Sequence, residues 1–103
     1  MELTVLTVPD CPNEPLLEER LAVALAGTRV SSVTRRVIAD ERDAARWGLR
    51  GSPTLLVDGV DPFAGENAAV SMSCRIYRDG RGLPEGAPSV AALRRALTAE
   101  PPA

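Results

Sequence analysis

The chain has 103 residues, a formal net charge of −2 and a hydrophobic fraction of 45%, which fits one domain with a modest core and leaves no room for two. Its basic residues are all arginine, and the near-balance of charge supplies no field that would draw nucleic acid or an anionic membrane. Histidine is absent, which excludes a Ser-His-Asp or Cys-His catalytic pair, and the two cysteines form no C-x-x-C pair to anchor zinc.

Taken in order, Leu3 to Val8 is short, rich in β-branched residues and halted by Pro9-Asp10, which predicts a buried first strand. Cys11 follows, then Pro12-Asn13-Glu14-Pro15 and a helical pattern that sets Leu17, Leu21, Ala24 and Leu25 on one face and stops at Gly27. Pro12 suits the first helical position, and Pro15 falls in the first turn, where amides lack partners anyway. Glu14, Glu18 and Glu19 complement the positive end of the helix dipole. Val30 to Ile38 predicts a second strand, whose Arg35-Arg36 pair suits a sheet edge.

Asp40 is a good N-cap for a helix through Ala44, Ala45 and Trp47, and Gly48 a left-handed stop. Gly51-Ser52-Pro53 reads as a turn into the apolar strand Thr54 to Val57, closed by the hairpin dipeptide Asp58-Gly59. Residues 60–73 show no periodicity, and residues 60–75 are predicted to be the most mobile part of the chain. Ser71 to Tyr77 is the predicted fourth strand, in a hairpin with the third and ended by Arg78-Asp79-Gly80. Ser89 then caps a last helix that buries Val90, Leu93 and Leu97. One domain over residues 1–99 is expected, with 100–103 as a disordered tail. No signal peptide precedes the first strand and no apolar run approaches the roughly 18 residues of a membrane span. The expected location is therefore cytoplasmic, where thiols stay reduced.

The run Trp47-Gly48-Leu49-Arg50-Gly51-Ser52-Pro53-Thr54-Leu55-Leu56-Val57-Asp58-Gly59, with Cys11 upstream at a strand end, resembles the middle of a thioredoxin-like domain. The resemblance covers nearly the whole chain. It implies an α/β fold of order βαβαββα, a four-stranded mixed sheet with helices on both faces, and a cis bond before Pro53, which would lie beside Cys11. The sequence departs from the family pattern twice. Glu14 stands where the second cysteine of a C-x-x-C site would be, and residues 60–73 lengthen what is normally a tight hairpin. Ordinary thioredoxin activity is therefore not implied.

Cys11 sits between a strand end and a helix start, where open α/β sheets meet ligands. Helix amides favour its thiolate, while Asp10 and Glu14 oppose it; the alternative is a small thiol that merely packs beneath the helix. Cys74 is either an internal resolving thiol or a half-buried strand cysteine. Ser52, Pro53 and Thr54 are candidate substrate-binding residues, through backbone groups that a cis proline leaves free, or else a plain strand-entry turn. Arg75 either supports a thiolate or forms an exposed ion pair. Arg35, Arg36, Arg46 and Arg50 read as solvated, and Phe63, Met72 and Tyr77 as packing.

Three functions fit these residues. The first is a thiol-disulfide oxidoreductase with Cys11 as nucleophile and Cys74 or an external thiol as resolver. Its partners would be protein or low-molecular-weight thiols and disulfides, without cofactor, nucleic acid or membrane. The second is a non-catalytic binding module of the same fold. The third is handling of soft metal ions or organomercurials by the Cys11/Cys74 pair. The run from Ser52 to Phe63 also resembles that of alkylmercury-lyase-type chains, in which case Asp10 or Glu14 would deliver the proton.

Overall fold

Ten short elements make up the chain in the computed structural model, which describes residues 1–30, 32–65 and 69–98. They are β1 (Leu3–Thr7), α1 (Glu14–Leu25), β2 (Thr34–Val37), α2 (Glu41–Trp47), β3 (Arg50–Ser52), β4 (Thr54–Val57), β5 (Ser71–Cys74), β6 (Tyr77–Arg78), β7 (Pro84–Glu85) and α3 (Val90–Thr98). β1 is the centre of a mixed sheet of order β2-β1-β4, parallel to β2 and antiparallel to β4. Side chains alternate across it, as a pleated strand requires. Leu3 and Val5 join Leu55, Leu17, Leu21, Ala24, Leu93 and Leu97 in a core beneath α1 and α3. Leu6 points the other way, into a smaller core with Ile38, Ala44 and Leu49 beneath α2. Helices thus cover both faces.

Local chemistry accounts for the element boundaries. Asp40 accepts a hydrogen bond from the Asp43 amide at 2.8 Å and caps α2, which Gly48 ends at φ +78°. Ser89 accepts from the Ala92 amide at 3.1 Å and starts α3. β2 lies at the sheet edge, every residue exposed, as its paired arginines suggest. It is shorter than the predicted Val30 to Ile38.

The expected four-stranded sheet is not formed among the described residues: the main sheet has three strands. Asp58-Gly59 does make the anticipated tight turn, with φ of 50° and 83°, and Val57 and Val60 bond to each other across it. The hairpin then stops. Asp61 turns its side chain into the interior, and Pro62 has no amide to offer a ladder. The predicted fourth strand divides into two pieces with other partners. β5 pairs in parallel with β3, a segment expected to be only a turn, and β6 pairs with β7 in a small hairpin. Residues 66–68 of the predicted mobile segment, and the predicted tail with Ala99, lie outside the described residues.

Candidate functional site

The site grows from the end of β1. The Val8 amide donates to Ser52 Oγ at 3.1 Å, so the strand leaves the sheet directly beside the segment that leads into Pro53. Asp10 then adopts φ +58° and reverses the chain. The Cys11 carbonyl accepts from the Glu14 amide at 3.4 Å, and α1 begins at Glu14. Pro12 therefore lies in the turn before the helix instead of opening it, and Pro15 occupies the first turn. Cys11 is 7% exposed. Asn13 packs on Gly86, where any Cβ would collide with its side chain. Arg20 ties α1 to the approach of α3, reaching the Ala87 carbonyl at 3.0 Å and Glu85 at 3.2 Å.

The Ser52-Pro53 bond is cis, and Ser52, Pro53 and Thr54 are all buried. Their polar groups are engaged within the chain. Ser52 Oγ accepts from Val8, and the Ser52 carbonyl accepts from the Arg75 amide at 3.0 Å. The Pro53 carbonyl accepts from the Tyr77 hydroxyl. Thr54 Oγ1 donates to the Gly51 carbonyl at 2.6 Å and accepts from the Arg50 amide and from Arg75 Nη1, both at 3.3 Å. One donor and two lone pairs are all that a hydroxyl has. The expectation of free backbone groups at this proline is thus corrected at the Ser52 carbonyl, which the Arg75 amide, just after β5, has taken.

Cys74 is exposed and stands opposite Ser52 in the parallel β3–β5 register. The sequence-based picture of an antiparallel fourth strand puts the start of that strand far from Pro53. Parallel pairing carries its last residue to the proline instead. Both cysteines are free thiols.

Of the two readings of Arg75, a thiolate support or an exposed ion pair, the second is found only in part: the ion pair forms, but it is buried. Its side chain is 10% exposed and pairs with a fully buried Asp61, Nη1–Oδ2 at 2.6 Å and Nη2–Oδ1 at 3.4 Å, a two-pronged contact that fixes orientation as well as charge. Gly51, at φ +98°, lies so close that a Cβ there would come within 2.8 Å of Arg75 Cβ. The guanidinium also lies 4.6 Å from the centre of the Tyr77 ring, and Phe63 meets that ring edge-on at 5.8 Å. Burial pushes the Tyr77 hydroxyl well above its ordinary range; Arg75 pulls it back, while Asp61 and Cys11 push it further.

Asp61, Arg75 and Tyr77 are the site residues that sequence reasoning missed in these roles. Asp61 precedes a proline in a turn-rich stretch and looks like one more turn residue. A usable signal lay in Tyr77, the one tyrosine of a chain poor in aromatics, since a buried phenol needs a polar partner.

Among the described residues, no three His, Cys, Asp or Glu side chains gather as a metal-binding group, and no helix is long and apolar enough to cross a membrane. No protein-family model, curated protein or solved structure matches the chain.

Proposed function

We propose that this is a thioredoxin-like protein that exchanges thiols and disulfides through Cys11 and Cys74. The observation that carries the reading is the parallel pairing of β5 with β3, which sets Cys74 opposite Ser52, the residue before the cis proline. Support also comes from the strand order β2-β1-β4 with helices on both faces, and from Cys11 in the turn that leaves β1.

In the exchange, Cys11 loses its proton to solvent and its sulfur attacks one sulfur of a disulfide RS–SR. A Cys11–SR bond forms as the S–S bond breaks, and RS⁻ leaves to be protonated. Cys74 then attacks the Cys11 sulfur, forming the Cys11–Cys74 disulfide and releasing the second RS⁻. Two protein thiols are oxidised and one disulfide is reduced to two thiols. A low-molecular-weight dithiol restores the starting state. Glu14 cannot replace Cys74 in the second step, because a carboxylate does not displace a thiolate from sulfur.

Mild oxidation of the full chain tests this. Mass spectrometry of the unreduced monomer is expected to show a loss of two hydrogens and a crosslinked peptide pair containing Cys11 and Cys74. Adducts confined to Cys11 would reject Cys74 as resolver and leave a single-thiol mechanism with an external resolver. No exchange at either sulfur would reject the enzyme reading in favour of a binding module.

A further inference from the structure

We infer that the site takes small disulfides and excludes extended peptides, because the chain's own β5 occupies the strand edge on which a peptide would pair. This rests on the thiol-exchange reading above and adds a substrate class to it. A peptide that docks beside a reactive sulfur in extended form needs open backbone groups on a sheet edge. Along β3 two carbonyls are engaged in this way: that of Leu49, just before the strand, accepts from the Ser71 amide and that of Ser52 from the Arg75 amide, each at 3.0 Å. The Pro53 carbonyl is bonded to Tyr77 and the Thr54 hydroxyl is fully used.

The cover is anchored from inside. Arg75, next to Cys74, is locked by the buried Asp61 carboxylate and by Thr54, and Gly51 lets its backbone approach closely. Of the two outer strands of the main sheet, β2 is exposed and lies on the far side of β1 from Pro53, while β4, which follows Pro53, has Thr54 and Leu55 buried. Cys11 itself is buried, at 7% exposure, so a reagent that reaches its sulfur has to be slender. The same strand thus has two effects: it presents Cys74 for resolution and closes the edge to peptides.

The test uses the full chain carrying Cys74→Ser, so that Cys11 alone reports, and two disulfides, one symmetric and one mixed, that can each release 2-mercaptoethanol. One is hydroxyethyl disulfide; the other holds its cysteine in the middle of a short extended peptide. Rates of adduct formation at Cys11 are followed by mass. Each backbone hydrogen bond that a peptide must displace corresponds to about fivefold, so two predict that the small reagent is faster by about thirtyfold. In the unsubstituted chain, where Cys74 resolves the adduct, the rates of Cys11–Cys74 disulfide formation with the two reagents are expected to give the same ratio.

Rates within about fivefold of each other, a margin of one such bond, would overturn the inference while leaving thiol exchange standing. Reaction at Cys11 with neither reagent would overturn both. In the double variant Asp61→Ala/Arg75→Ala, which removes the anchor without stranding a buried charge, the peptide rate is expected to rise and the ratio to narrow. An unchanged ratio in a folded double variant would show that the cover is not what excludes peptides. Should that variant not fold, the ratio in the unsubstituted chain decides the matter.

Discussion

Two strand edges in this molecule are guarded by arginine in opposite ways. At β2 the guard stays in water: Arg35 pairs with Glu18 of α1 from a largely exposed position, and Arg36 lies over the Trp47 ring at 3.8 Å. At β3 the guard is buried: Arg75 sits against Asp61 and Thr54, and the strand before it covers the edge. A charged side chain on a bare edge discourages pairing by remaining hydrated. A charged side chain on a covered edge fixes the cover in one orientation, because it has to meet its partner away from solvent.

The sharpest way to break this contrast is to remove the buried carboxylate. Asp61→Ala leaves Arg75 uncompensated and is expected to cost about 3–5 kcal/mol in urea unfolding. Should it cost no more than Arg35→Ala, the two edges are not different in kind. Tyr77→Phe comes next: it strands the buried Pro53 carbonyl, for an expected loss of about 1–3 kcal/mol at neutral pH.

The same variant carries a pH signature. Burial raises the Tyr77 pKa, so above the ordinary tyrosine value of about 10 the unfolded chain sheds a proton that the folded chain keeps. This contribution is level below about pH 10 and falls as pH rises beyond it, by at most about 1.4 kcal/mol per pH unit. Tyr77→Phe is expected to lack that slope. The readout is favourable because the chain has no lysine and arginine stays charged. Equal alkaline slopes in the two proteins would show that Tyr77 is not the group responsible.

On the bare edge the effects are smaller. Arg36→Ala is expected to lose about 0.5–1 kcal/mol with its stacking on Trp47, and to shift the tryptophan fluorescence. Arg35→Ala is expected to lose about 0–1 kcal/mol, shrinking further as salt is added. A loss that persists in high salt would mean that the Glu18 pair is shielded and that this edge, too, is held from within.

The legible part of the fold is the part set by local chemistry. Asp40, Gly48, Asp58-Gly59 and Ser89 act within a few residues of themselves, and each does in the structure what its side chain and conformational range suggest. The β-branched run of β1 and the arginines of β2 similarly announce a buried strand and an edge. What the sequence concealed depends on distant partners. Nothing near Asp61 marks it as the counterion of Arg75, 14 residues on, and nothing in Ser71 to Tyr77 tells a strand to pair in parallel with β3 rather than fold back on β4. Cys11 and Pro53 could be singled out because a strand end and a strand entry are locally recognisable. The position of Cys74 could not be read, because it follows from that one long-range choice of partner.

Asp58 also has a role at the opposite end of the sheet from Cys11. Its carboxylate accepts from the Glu2 amide at 2.7 Å, and its own amide donates to the Glu2 carbonyl at 2.8 Å. This clasp joins the beginning of β1 to the end of β4 and settles which residues face each other along both. A slip by one residue would turn Leu55 toward the wrong helix and carry Ser52 about 3.4 Å along from Val8. With β1 only five residues long, little else can correct such an error. Whether a serine or its neighbour stands beside the exit of β1, where the thiol turn begins, is thus a question of odd or even, decided at the far end of the strand.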